Sequence, residues 1–294
     1  MTNFAELAPL ARRIWRRLEP YHAITYFAPE SHAALEAIGM KGFWMGYFAS
    51  RSAALGAASP NLVIATFYNF NPSLVRRAVP DCWKITTPTA ALGARHDGVV
   101  DALNSMATLD VQELKTLAPL ARTMAEAATS DLGGRPLFAA HAALKWPEGG
   151  APVTAWWAAT LIREHRGDGH IAALVDAGIA PCEALVLQST YTAVPRQTLQ
   201  MTRNWPDDEW DAAVDALASR GLVTGDASPT DKGRACLEAI EARTDELATR
   251  PIAEMGVDAA SALAEAALPI AQAVMASGVV PTITPMFADD DLGD

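Results

Sequence analysis

Within one run of the chain, Glu164-His165-Arg166-Gly167-Asp168-Gly169-His170, two imidazoles, two carboxylates and a guanidinium group surround a pair of glycines. Neutral imidazoles and a carboxylate are a common ligand set for zinc or non-haem iron, and a His–Asp pair can instead act as a tuned base. The spacing matches neither the helical His-Glu-x-x-His signature nor another strong metal motif. Read locally, residues 153–165 form a helix ended by Arg166-Gly167, Asp168 caps a second helix over 169–177, and Gly178 stops it. That turn would bring His165, Asp168 and His170 to one cleft as a catalytic set, with Glu164 and Arg166 as ligand-binding neighbours. The plain alternative is a capping aspartate, two turn glycines and surface histidines. Whether a metal is bound stays open, and no cofactor is identifiable.

A second cluster, Phe43, Trp44, Tyr47, Phe48, Phe67, Tyr68 and Phe70, concentrates aromatic residues in the first half. Spacings of i, i+1, i+4 and i+5 put the first four on one helical face, which is more often core than cavity wall. The functional alternative makes Trp44, Tyr47, Phe67 and Tyr68 the walls of a ligand site with His22, Tyr26 and Arg51 as its polar anchors. There is no Gly-x-x-x-x-Gly-Lys phosphate loop, no Gly-x-Gly-x-x-Gly, no Cys-x-x-Cys and no Gly-x-Ser-x-Gly elbow. Nucleotide, zinc-ribbon and ordinary serine-hydrolase chemistry lose support accordingly.

The elements that must position these residues repeat. Ala33-Ala34-Leu35 with Gly39 matches Ala172-Ala173-Leu174 with Gly178, and Asn69-Phe70 matches Asn204-Trp205. Pro88-Thr89 with Gly93 matches Pro229-Thr230 with Gly233, and Pro119-Leu120-Ala121 matches Pro269-Ile270-Ala271. The order is kept, which predicts two units, 1–145 and 146–294. The second is clearer. Pro206-Asp207-Asp208-Glu209 starts a helix whose Trp210, Val214 and Leu217 share a buried face. Gly221 leads into a short strand at 222–224, a turn follows, and Thr230 opens a long helix, which is the order of a winged helix with a stunted wing.

Three runs of the second half, ASRGLV at 218–223, PTDKG at 229–233 and IEARTDEL at 240–247, resemble MarR-type regulators. The whole chain resembles the actinobacterial SalK-like helix-turn-helix family in YHAITYFAPE at 21–30, GFWMGYFASR at 42–51, ATFYNF at 65–70 and REHRGDGH at 163–170. Together with the repeats, the resemblance implies a mainly α chain of tandem, duplicated winged-helix-like (MarR-like) units forming an intramolecular pseudo-dimer. It implies a fold more firmly than an activity.

Charge then weighs on function. The net charge is −11, and it is uneven: 14 Lys and Arg against 11 Asp and Glu up to residue 145, but 9 against 23 beyond it. Nucleic-acid binders draw their non-specific affinity from cations on phosphates. The candidate recognition helix of the second half instead carries Asp207, Asp208, Glu209, Asp211 and Asp215. Its first-half counterpart, 72–83, has Arg76 and Arg77 but is cut by Pro80. The expectation is therefore a small-molecule-binding protein or enzyme using a cavity between the halves, with nucleic acid disfavoured as a partner. The alternative is a ligand-responsive DNA-binding regulator, and a protein-interaction module comes third. Glu6 in place of a basic leader, no run of about 18 uncharged apolar residues, and three scattered cysteines point to a cytoplasmic monomer or homodimer with no membrane partner.

Overall fold

Proline sets where many of the helices begin, because its fixed φ suits a first turn that has no use for the missing N–H. The computed structural model describes residues 4–285. Its helices are α1 (Phe4–Phe27), α2 (Pro29–Ala37), α3 (Gly42–Ser52), α4 (Pro60–Phe67), α5 (Pro72–Ala78), α6 (Cys82–Ile85), α7 (Pro88–Ser105) and α8 (Val111–Ala127). After α9 (Pro136–Ala142) come α10 (Gly150–Asp176), α11 (Pro181–Tyr191), α12 (Arg196–Arg203), α13 (Asp207–Ser219), α14 (Asp231–Leu247), α15 (Arg250–Met255) and α16 (Val257–Ser277). Ser59, Asn71, Thr87 and Thr230 each accept a first-turn amide, at α4, α5, α7 and α14. Where a short strand was expected at 222–224, the chain forms an isolated bridge between Val223 and Pro229 instead. The protein is mainly α-helical.

Three apolar clusters organise the chain. One belongs to α3–α5 and their neighbours, with Phe48, Val63, Leu74 and Val75 at its centre. Another belongs to α11–α14 and includes Trp210, Val214 and Leu217, the face expected from their spacing. The largest unites both halves: α1 packs on α16 and α10 on α8, burying Ile14, Leu18, Trp156, Leu263 and Ile270. Helix α16 is the one described helix long and apolar enough to cross a membrane, and here Leu263, Ala267, Ile270 and Val274 lie in this shared core.

Some elements of the two halves are alike in length and caps, although α1 and α2 stand where the second half has the single α10, and α5 and α6 where it has α13. Helices α3 and α11 have 11 residues each, and α4 and α12 have 8 each. Gly39 and Gly178, after α2 and α10, both take positive φ, as do Tyr68 and Asn204 at the C-caps of α4 and α12. The two positions after α4 and α12 are not free of each other. Asn71 N–H donates to Arg203 O at 3.0 Å, Trp205 Nε1 to Asn69 O at 2.9 Å and Asn204 Nδ2 to Ser73 Oγ at 3.0 Å. Asn71 Nδ2 also reaches Glu209 Oε2 at 3.1 Å, tying the starts of α5 and α13 together.

The expected turn at 167–169 is absent. Residues 150–176 are one helix, and neither Gly167 nor Gly169 takes positive φ. Gly169 is small for another reason: a Cβ there would lie 2.8 Å from Arg135 Nη1 and 3.4 Å from Leu247 Cβ. Through that gap Arg135 donates to the carbonyls of His165 and Leu247. Asp168 caps no helix of its own; its Oδ2 accepts the Phe138 amide at 2.9 Å, in the first turn of α9. Glycine in a packed helix can mark a close neighbour rather than a break, and local pattern does not separate the two.

Candidate functional site

Where α1 and α10 cross beneath α3, α4, α11 and α12, a cavity of about 550 Å³ opens, walled by residues of both halves. Its floor comes from helical stripes. Arg12, Trp15, Arg16 and Glu19 recur at i, i+3, i+4 and i+7 on α1, and Arg163, Arg166, Gly167 and His170 do the same on α10. One wall is aromatic, with Tyr47 from α3 and Phe67, Tyr68 and Phe70 around the end of α4. Leu174, Ala184, Leu187 and Val194 face it from the second half. The contact between the α4–α5 and α12–α13 turns, through Asn69, Phe70 and Arg203, closes one side.

Buried charge lines the floor. Glu164 is 1% exposed and accepts from Arg51 twice, Nε to Oε1 at 3.2 Å and Nη2 to Oε2 at 3.1 Å, while Arg163 Nη1 reaches Oε2 at 2.8 Å. Burial alone would raise the Glu164 pKa, but Arg163 and then Arg51 outweigh it and hold the carboxyl well below the usual range. Arg163 also faces Glu19 at 3.5 Å, and Trp15 Nε1 donates to Glu19 at 3.0 Å. Arg51 continues the chain outward, to the Tyr47 hydroxyl at 2.9 Å and over the Phe67 ring at 4.4 Å. A separate knot joins Arg166 to Asp245 at 2.8 Å and to Glu241 at 3.1 Å, with the guanidinium stacked 4.0 Å from the Trp15 ring.

Of the residues expected at one cleft, Asp168 and His170 line this cavity, with Glu164 and Arg166. Burial pushes the Asp168 carboxyl up to about 7 against the opposing Phe138 amide, so it exchanges a proton near neutrality. His170 Nδ1 lies 3.0 Å from Thr244 Oγ1 and 3.6 Å from Glu241 Oε1, and burial lowers its pKa. His165 is elsewhere. Its Nε2 meets Asp131 Oδ2 at 3.1 Å, and burial, then Arg135, brings its pKa down to about 4. On a continuous helix, positions 165 and 170 are about 140° apart, so the two imidazoles cannot share a ligand. Among the described residues no three His, Cys, Asp or Glu side chains converge as for a metal ion.

The aromatic segment divides similarly. Tyr47, Arg51, Phe67 and Tyr68 reach the cavity, whereas His22 and Tyr26 lie behind it, fully or nearly buried, and Trp44 packs outside it. His22 bonds Thr160 Oγ1 and the Tyr26 hydroxyl, both at 3.0 Å, and the Tyr26 ring lies 5.2 Å from that of Tyr47. They buttress the wall rather than form it. Sequence reasoning missed Arg12, Trp15, Glu19, Arg163, Arg203 and Glu241 as lining residues. The signal available was a charged stripe at helical spacing on helices that are otherwise buried.

With the geometry in place, a family model matches residues 11–281, and the chain belongs to that helix-turn-helix family. No curated protein and no solved structure matches the chain.

Proposed function

We propose that this chain binds a small molecule in the cavity between its halves, and that its two helix-turn-helix segments have become the walls of that site. The observation that carries the reading is the closure itself. Residues after α4 and α12, where a helix-turn-helix leads into its recognition helix, hydrogen-bond to one another across the halves. A paired helix-turn-helix protein reads successive major grooves with recognition helices about 34 Å apart. Starts joined by an Asn71–Glu209 bond cannot take that spacing without opening. The same contact covers a space of the size and mixed lining usual for ligand sites.

The two halves are, on this proposal, diverged copies folded as an intramolecular pseudo-dimer. Support comes from the equal helix lengths, the paired positive-φ caps, the Thr87 and Thr230 caps of α7 and α14, and Pro119 and Pro269 inside α8 and α16. Copies that no longer need to be identical can supply different walls, aromatic from one half and charged from the other. Asp168 and His170, both at the cavity, are the groups suited to proton transfer if the bound molecule is also turned over.

A second reading, a ligand-responsive DNA-binding regulator, is favoured by family membership. Against it stand the exposed acids of α13, where Arg196 is already engaged by Asp207 and Asp211 at 3.2 Å each. A thermal-shift screen of metabolite-like compounds beside fluorescence anisotropy with a random-sequence duplex at 150 mM salt separates the two. Compounds that raise the melting temperature, with duplex binding no tighter than micromolar, are expected. Nanomolar, sequence-selective duplex binding with no stabilising compound would reverse the order.

A further inference from the structure

Among the described residues, one cation at the cavity stands apart from the ion pairs around it. Arg51 and Arg163 are matched by Glu164 and Glu19. Arg12 and Arg166 are matched by Glu241 and Asp245, Arg12 Nε reaching Asp245 at 2.5 Å. Arg203 is different. It ends α12 and lines the cavity with its guanidinium 4.4 Å from the centre of the Phe70 ring. No carboxylate lies within ion-pair distance among the described residues, and its one hydrogen bond there is a long 3.5 Å contact to the Thr202 carbonyl. Burial, with Arg51 and Arg163 adding to it and Tyr47 opposing, brings its pKa down to about 10, still charged at neutral pH. A guanidinium presents five donors in a fixed fork, and one with a single long hydrogen bond in a partly desolvated site is a standing electrostatic cost.

Asn69 adjoins Phe70 in the cavity wall, and its backbone carbonyl accepts from Trp205 Nε1, two residues after Arg203. The lining also includes an apolar group, Phe70, Leu174, Leu187 and Val194.

We infer that the cavity takes a monoanionic organic carboxylate with an apolar body, the carboxylate on Arg203. One unmatched guanidinium neutralises one negative charge, which favours a carboxylate over a phosphate dianion. The fork geometry suits a bidentate pair. The inference rests on the proposal that the cavity is a ligand site, and it adds the ligand's chemical class.

Isothermal titration of the full chain with three probes of common shape tests it: 2-naphthoate, 2-naphthol and 2-naphthyl phosphate. The carboxylate is expected to bind tightest, and 2-naphthol and the phosphate at least about tenfold more weakly. Arg203→Met should remove the advantage of the carboxylate while leaving 2-naphthol unchanged, and Arg203→Lys should restore part of it. Binding of 2-naphthol as tight as 2-naphthoate, or a carboxylate preference that survives in Arg203→Met, overturns the inference while leaving a ligand cavity standing. If none of the three binds, both the inference and the proposed function fall.

Discussion

Glu164 offers the sharpest energetic test of the cavity floor. Its carboxylate is buried and lies between Arg51, which holds it bidentately at 3.2 and 3.1 Å, and Arg163 at 2.8 Å. Glu164→Gln keeps the shape but leaves two buried guanidinium groups facing across a neutral amide. Removing one partner of a buried ion pair costs about 3–5 kcal/mol, because the remaining charge stays desolvated. In a chain of this size that corresponds to a melting temperature lower by roughly 6–10 °C. Arg51→Met is gentler: Glu164 keeps Arg163, and the cost is expected at about 1–3 kcal/mol. In the double variant one of the two guanidinium groups that Glu164→Gln would strand is gone, so its cost should be below the sum of the singles. Urea unfolding with linear extrapolation reads all three. A cost under about 1 kcal/mol for Glu164→Gln, or Arg51→Met costing as much as Glu164→Gln, would refute the assignment of Glu164 as the shared counter-ion of two cations.

Further outcomes follow from the same geometry. His170→Ala should weaken ligand binding measurably by calorimetry at little cost in stability, whereas His165→Ala should leave binding unchanged and cost about 1–3 kcal/mol by the loss of a buried contact to Asp131; the opposite pattern would return His165 to the site. The raised Asp168 pKa means the folded state holds a proton that the unfolded chain has lost, so its contribution to stability is fully present below about pH 4 and is lost as pH rises through about 7. Asp168→Asn, which keeps an acceptor for the Phe138 amide, should therefore be more stable than the parent at pH 8 and lose that advantage at pH 4, as thermal melts across pH would read. The buried histidines act in the other direction: His141 and His165, both lowered to about 4 with burial as the main cause, add stability above about pH 6.5 that declines as pH falls toward 4. Gly98→Ala would place a Cβ 2.7 Å from Ser31 Cα, backbone that α2 cannot easily withdraw, and should cost about 1–3 kcal/mol in the same unfolding assay.

What could be read in the sequence was whatever local chemistry decides. Pro206 with three acids marked α13, Thr230 marked the start of α14, and Trp210, Val214 and Leu217 were assigned to one buried face from spacing alone. Pro80 likewise marked the early end of α5. The error at 167–169 came from the same local reasoning. A Gly-Asp-Gly run reads as a turn until Arg135, some thirty residues away, is seen to need the room that Gly169 leaves. Once α10 is continuous, Arg163, Arg166, Gly167, His170 and Leu174 become a single stripe and His165 falls on another face. Arg203 was beyond reach for a different reason: nothing in the residues near it shows that no acid arrives from the rest of the chain. A deficit of partners is a tertiary property.

The central claim is that the space between the halves is a ligand site, and a variant that fills it tests this most directly. Ala184 lines the cavity on α11 and is partly exposed to it. Calorimetric titration of 2-naphthoate into the parent and into Ala184→Phe should give one site per chain in the parent and at least about a tenfold loss of affinity in the filled variant, with both unfolding cooperatively. Equal binding to the two proteins would place the ligand elsewhere and contradict the account.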